Sequence, residues 1–326
     1  MDKKWQYFLT FFVILTLNFA LPRMMPGDPF LYISGDENDL TAHYSRDQLE
    51  YYREYYGLDQ PITIQYFHYL KDIVLGDLGF SYSHRESVSQ LILNRLPWSL
   101  LLVVSSMVLS LLVGIFLGSY SAWRRNRWND SVLYTVVMVL SEIPAFLIGL
   151  VLLVVFAATL GWFPLSGAKT HFAFYESLLD QGWDIGSHAV LPVITLTIAR
   201  TGGIYLMVRN SLSTVLTKDY MRTARAKGLK EYRIRYLHAL RNALLPLITR
   251  IALQLGGLVG GAVLVENVFA YPGLGTLMTT AVAHRDYPLL QGIFLVTGTS
   301  VILANFLADS FYQKLDPRVQ QGGRKR

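Results

Sequence analysis

The stretch that decides the fold is WSLLLVVSSMVLSLLVGIFLGSYSAW, residues 98–123, which carries no charged side chain. It exceeds the ~20 apolar residues that cross ~30 Å of hydrocarbon as a helix. Working outward, five more runs of this kind appear: Trp5–Leu21, Ser131–Ala158, His188–Leu212, Pro246–Val268 and Leu289–Tyr312. The expectation is an all-α polytopic membrane protein with six transmembrane helices. Composition agrees: the 326 residues are 52% hydrophobic and 16% charged, against ~25% charged in soluble domains. A soluble enzyme, a disordered chain and a disulfide scaffold are excluded. The chain has no cysteine, which also excludes iron–sulfur clusters, thiolate zinc sites and thiol catalysis.

The first run is preceded by Lys3 and Lys4, as a signal peptide would be, but it ends in Leu21-Pro22-Arg23 without a small-x-small cleavage pattern. An uncleaved span is the better reading. Lys and Arg set the orientation. With the N-terminus inside, the cytoplasmic pieces carry 19 basic residues and the outer pieces 8. Both termini are therefore expected in the cytoplasm. The chain divides into 1–22, a tail and first helix; 23–97, an extracytoplasmic segment; and 98–326, a core of five helices with a cytoplasmic loop at 209–245. The net charge of +6 lies in membrane-flanking loops, so it argues for orientation and anionic lipid and against nucleic acid.

Segment 23–97 holds helix-like stretches, Ser45–Tyr56 and Ile64–Val74, separated by Gly57, Pro61, Gly76 and Gly79. Ser45 with Gln48 resembles a capping box. Tyrosines recur from Tyr32 to Tyr82, as on a surface near the membrane interface. The segment reads either as a cap over the spans or as a docking surface for an external partner. In the basic loop, a short helix over 219–227 meets Gly228, a left-handed cap. A second amphipathic helix over 230–244 has Ile234, Leu237, Leu240 and Leu244 at helical spacing. Pro246 then opens the fifth span. Two helices joined by a glycine elbow form a stiff knob for a soluble partner; nine basic residues would equally hold the loop on anionic lipid.

It is in this loop, DYMRTARAKGL at 219–229 followed by HALRNALLPLIT at 238–249, that a family resemblance begins. It resembles the coupling loop of ATP-binding-cassette importer permeases of the dipeptide/oligopeptide/nickel family. Further matches run in order along the chain: Met25-Pro26-Gly27-Asp28-Pro29, Gly57-Leu58-Asp59-Gln60-Pro61, Gly76-Asp77-Leu78-Gly79, Glu266-Asn267-Val268-Phe269, Pro272-Gly273-Leu274-Gly275, Asp286-Tyr287-Pro288 and Asp316-Pro317-Arg318. The long segment after the first span resembles that of the first, B-type, permease of such systems. The broader superfamily's loop begins Glu-Ala-Ala, where this chain has Arg222, Thr223 and Ala224. Its proline follows Gly228 at a longer interval, as in this subfamily. Trp98 stands where relatives have threonine, a difference of packing or interface anchoring.

The resemblance implies a half-transporter in the bacterial inner or plasma membrane. A second homologous permease would complete the pore, two cytoplasmic ATPases would bind beneath, and an extracytoplasmic solute-binding protein would deliver cargo. Residues Arg222, Thr223, Ala224, Arg225, Ala226, Lys227, Gly228 and Leu229 would couple the pore to an ATPase. Cargo would be a peptide or a peptide-like or chelated solute, moved by alternating access. ATP and Mg would sit on the partner ATPases, with no cofactor on this chain. The rival class is a self-sufficient ion-coupled carrier.

The chain's own chemistry is sparse. There is no G-x-x-x-x-G-K-[ST], so it is not expected to be an enzyme. No two of its histidines share a metal-ligand spacing on one helix, and no metal site is expected. Gly256, Gly257, Gly260 and Gly261, and Gly114 with Gly118, have small-xxx-small spacing, which means helix packing ahead of solute lining. Ionisable residues in spans are functional candidates by default. Glu142, before Ile143-Pro144, and Arg200 are candidate pore residues, either paired or each with another partner. Arg209 and Arg250 are expected to snorkel to the cytoplasmic face. Glu266, Pro272, Gly273 and Gly275 form a candidate gate, read either as a re-entrant scoop or as a surface turn.

Overall fold

The computed structural model describes residues 3–24, 50, 54, 57–244 and 262–315. Among these the chain is helical, and its only extended pairing is an isolated bridge between Phe80 and Ser87. The helices are α1 (Lys3–Arg23), α2 (Ile62–Leu75), α3 (Val88–Trp123), α4 (Trp128–Glu142), α5 (Ala145–Leu152), α6 (Leu178–Leu216), α7 (Asp219–Ala226), α8 (Val263–Val268), α9 (Leu274–Ala283) and α10 (Tyr287–Leu315). π-helical stretches extend α5 over Leu153–Thr159 and follow α7 over Arg233–Leu240. Four helices, α1, α3, α6 and α10, are long and apolar enough to cross a membrane, and α4 with α5 would make a fifth if taken as one bent span. The expected fifth run, Pro246–Val268, lies largely outside the described residues. So do Ser45–Tyr56 with its capping box, the Met25–Pro29 motif, Arg250, the four glycines from Gly256 to Gly261 and the Asp316–Arg318 motif.

Three boundaries differ from the sequence reading. The second expected span, α3, begins at Val88, so the expected extracytoplasmic segment 23–97 ends in ten helical residues. Pro97 lies inside this helix. The expected span Ser131–Ala158 is not one kinked rod: α4 and the helix beginning at Ala145 meet at 96°. Proline disfavours helical geometry in the residue before it, and Ile143 is indeed extended, with φ −72° and ψ 128°. The fourth expected span, α6, starts at Leu178, not His188. Ser177 caps it, its hydroxyl accepting from the Asp180 N–H at 3.2 Å.

The described residues form two units, one within Met1–Trp98 and Pro272–Ile302, the other within Ser99–Tyr271 and Leu303–Arg326. In the first, α1 packs on α2 through aromatic rings. Phe19 meets Tyr66 edge-on at 5.1 Å. Asn18 is buried and donates to Tyr69 Oη at 3.1 Å and to the Gln291 carbonyl at 2.8 Å. Burial pushes the Tyr69 phenol up to about 12. Asp286 is fully buried and fixes the loop before α3. It accepts from Ser81 Oγ at 2.6 Å, Ser83 N at 2.9 Å and Ser83 Oγ at 2.8 Å, and from Leu289 N at 3.2 Å in the first turn of α10.

In the second unit α6 is central and packs on α4 and α5. Half of its most apolar window is buried (50%), against 28% for α3. Gly114 and Gly118 of α3 face α6: a Cβ on Gly118 would come within 2.8 Å of the Tyr205 carbonyl oxygen. This is the close packing their spacing predicts. Elsewhere the helices present apolar side chains outward: Phe8 and Phe12 from α1, Leu112 and Phe116 from α3, Val136 and Val139 from α4. In water such a surface would drive association; against lipid tails it costs nothing.

Candidate functional site

The elbow forms as its residues dictate. Asp219 in the first turn of α7 opposes the positive end of the helix dipole, and Arg225 lies in the last. Gly228 then takes φ +70°, the left-handed conformation glycine adopts without cost. Its N–H donates to the Arg225 carbonyl at 2.9 Å, and Lys227 N donates to the Thr223 carbonyl at 3.0 Å. Met221 and Ala224, three apart on one face, are buried, and Leu229 is half-buried. Arg222, Thr223, Arg225, Ala226, Lys227 and Gly228 are exposed. The eight expected coupling residues thus form one continuous elbow with a packed inner face and a basic outer one.

The second helix of the loop differs from expectation. Leu237 is 53% exposed, and the buried positions are Ile234, Ala239 and Ala243. These are spaced five and four apart because the backbone is π-helical from Arg233 to Leu240, which widens the turn and rotates the buried face away from Leu237. The inner face joins Ala122 and Leu212, at the ends of α3 and α6, in one apolar cluster with Met221 and Ala224. Trp123 flanks it, edge-on to Tyr236 at 4.9 Å. On the outside Glu231 links Arg225 (3.5 Å) and Arg235 (3.3 Å), contacts that contribute little where water screens them.

Arg209 does not snorkel. Its Nε and Nη2 donate to the Asp130 carboxylate at 2.9 and 2.8 Å, and its guanidinium lies 5.3 Å from the Tyr134 ring centroid. Ser121 Oγ also donates to Asp130 and lies 2.7 Å from Tyr205 Oη. The network joins α3, α4 and α6 one turn before Leu212. Asp130, Ser121 and Tyr205 escaped the sequence reading. The available signal was a lone acid after the basic run Arg124–Arg127 at the start of an apolar segment.

Glu142 and Arg200 do not meet. Arg200 Nη1 donates to Ser106 Oγ at 3.1 Å and to the Val103 carbonyl at 3.4 Å, whereas Glu142 is exposed at the end of α4. The helices do approach at this level, since a Cβ on Gly202 would fall on the Ser141 side chain. Arg200 lies two residues, ~200°, around the helix from that contact and faces α3.

Glu266 is fully buried and accepts from Ser99 Oγ at 2.6 Å. The Tyr271 N–H closes a turn on the Glu266 carbonyl at 2.8 Å, and Tyr271 is buried. Burial raises the Tyr271 phenol's pKa, and the charge of Glu266 adds to it. In the other unit Gly273 is the N-cap of α9, with its carbonyl accepting from Leu277 N at 3.2 Å; Gly273 and Gly275 are buried and Pro272 half-buried. The apolar helix that follows has ten residues, too few to span ~30 Å.

Comparison with known proteins gives these features a context. Residues 114–321 match the family described as binding-protein-dependent transport system inner membrane component. Residues 2–103 match the N-terminal family of the same systems' membrane components. The glutathione transport system permease protein GsiC of Escherichia coli O6:H1 is 38% identical over 311 residues, 95% of each chain. Its counterparts in Escherichia coli K12 and Salmonella choleraesuis are 37% and 36% identical over the same span. An inward-facing structure of the MetNI methionine ABC transporter superposes with a TM-score of 0.57 at 17% identity, covering 70% of this chain and 97% of that one; it shares the fold. With its core and N-terminal segment both matched and its apolar helices in place, the chain belongs to the binding-protein-dependent ABC importer permeases of the dipeptide/oligopeptide/nickel family, multi-pass subunits of the inner membrane.

Proposed function

We propose that this chain is one of two pore subunits of an importer for short peptides or peptide-like solutes. A second permease completes the pore, two cytoplasmic ATPases drive it, and an extracytoplasmic solute-binding protein supplies cargo. Both termini face the cytoplasm, and the pore works by alternating access. The observation that carries this reading is the 38% identity to a glutathione permease across 95% of both chains. The elbow at Gly228 supports it: a basic, exposed outer face on a packed inner one suits docking in a groove of an ATPase. ATP-driven closure would move the elbow and the helix ends beneath it together.

The test is affinity purification of the tagged chain in mild detergent, followed by mass spectrometry and reconstitution. The expected result is a second six-span permease and two ATPases, with uptake of a short peptide that requires ATP and the binding protein. Peptide uptake by the chain alone, without ATP, would establish an ion-coupled carrier instead. Gly228→Pro should leave the assembly intact and uncouple hydrolysis from uptake; unaltered coupling would remove the elbow from the mechanism.

A further inference from the structure

We infer that a cavity of about 310 Å³ beside the end of α1 binds the carboxylate end of a short peptide-like solute. Its cationic group is Arg23. The guanidinium is fixed on three sides: Nε and Nη2 donate to Gln65 Oε1 at 3.1 and 2.9 Å, Nη1 donates to the Phe19 carbonyl at 3.1 Å, and the Phe19 ring centroid lies 3.6 Å from Cζ. Gln65 is itself held, donating to the carbonyls of Leu58 at 3.3 Å and Gln60 at 2.8 Å. Three of the five guanidinium N–H groups are thus used. Among the described residues no carboxylate pairs with Arg23. A half-buried, rigidly aimed cation lacking a counter-anion is costly to keep, and its two remaining N–H groups suit a carboxylate.

A second observation points the same way. Gln60 and Gln291 line this cavity, and Gln60 Oε1 and Gln291 Nε2 are buried without a hydrogen-bond partner among the described residues. One accepts and one donates, the complement of a peptide N–H and C=O. Buried polar atoms are nearly always paired, so a turn of these two cavity-lining side chains toward a ligand would satisfy both. Asp72 and Asp77 at the exposed rim supply negative charge for a free ammonium group. The volume is at the small end of the ~300–1,000 Å³ range of ligand pockets, the size for two or three residues. The site rests on this geometry; only its part in handling cargo rests on the function proposed above.

The test uses the full assembly in lipid nanodiscs, without the binding protein, and trialanine as probe. Calorimetry should show saturable binding at millimolar concentration. Trialanine amide, lacking the carboxylate, should bind at least tenfold more weakly. Arg23→Lys, which loses the planar fork, should weaken trialanine to the same degree. Gln291→Leu should weaken it about fivefold while the Tm stays level or rises, because it removes an unpaired buried amide. Equal binding of trialanine and its amide, no saturable binding, or full binding by Gln291→Leu would each overturn the inference, the last by showing that water satisfies the amide. Binding that needs Arg23 in an assembly unable to import peptide would uphold the cavity and refute the transport reading. Normal import without Arg23-dependent binding would do the reverse.

Discussion

Asp130→Ala tests the ion pair that the sequence did not disclose. The carboxylate accepts two N–H groups from Arg209 at 2.9 and 2.8 Å, one from Asn126 N at 3.3 Å and the Ser121 hydroxyl. The side chains of Arg209 and Asp130 are 19% and 3% exposed. Removing one partner of a buried pair costs about 3–5 kcal/mol, because the other charge stays uncompensated. Arg209 retains some exposure and the face of Tyr134, so the lower end, about 3 kcal/mol, is expected. Arg209→Met should cost a similar amount. The double variant should lose far less than the sum, leaving a coupling of about 2 kcal/mol. The assay is unfolding of the purified chain in mixed micelles, followed by tryptophan fluorescence. Single losses below about 1 kcal/mol, or additive losses, would show that water or lipid headgroups already screen the pair.

Gly228→Ala isolates backbone strain, since an added Cβ meets no atom of the described residues within 4 Å while φ is +70°; a loss of about 1 kcal/mol is expected in the same unfolding assay. Gly118→Ala is steric instead: its Cβ would approach Tyr205 O to 2.8 Å and Val208 Cβ to 2.9 Å. Separating α3 from α6 should cost about 1–3 kcal/mol, read as a lowered Tm. Because Arg200 bonds Ser106 while Glu142 is exposed, Glu142→Gln and Arg200→Gln should act additively on uptake, within about 0.5 kcal/mol. A strong coupling between them would restore the pore pair read from the sequence.

Four of the expected spans, α1, α3, α6 and α10, were legible because ~20 apolar residues in a row admit few alternatives. The elbow was legible because glycine after a short helix has a specific backbone use, and φ +70° at Gly228 is that use. What failed was of two kinds. Some local rules act more strongly than an apolar run suggests: Pro144 breaks the helix at the extended Ile143, and Ser177-x-x-Asp180 starts α6. Partner choices, by contrast, have no local signal. Arg209 with Asp130 and Arg200 with Ser106 depend on which faces of α3, α4 and α6 meet, and opposite charge alone does not decide between a Glu142–Arg200 pair and separate partners. The π-helical turn after α7 belongs here too, since a 3.6-residue period misplaced its buried face onto Leu237.

These contacts bear on how an elbow motion would travel. Met221 and Ala224 share an apolar cluster with Ala122 of α3 and Leu212 of α6, and alanines at such contacts let the helices close up, leaving little slack. Arg209, about 4.5 Å along α6 from Leu212, ties that helix to α4 through Asp130. A push on the elbow therefore cannot be absorbed by one helix; α3, α4 and α6 would respond as a body. The 96° break at Pro144 lies about 21 Å along α4 from Asp130 and is the first point where that helix can bend independently. Loss of the Asp130–Arg209 pair should then lower uptake in the assembled transporter by more than its loss of folded protein explains, with ATP hydrolysis retained. If uptake falls only in step with the folded fraction, the pair stabilises the helices without transmitting their motion.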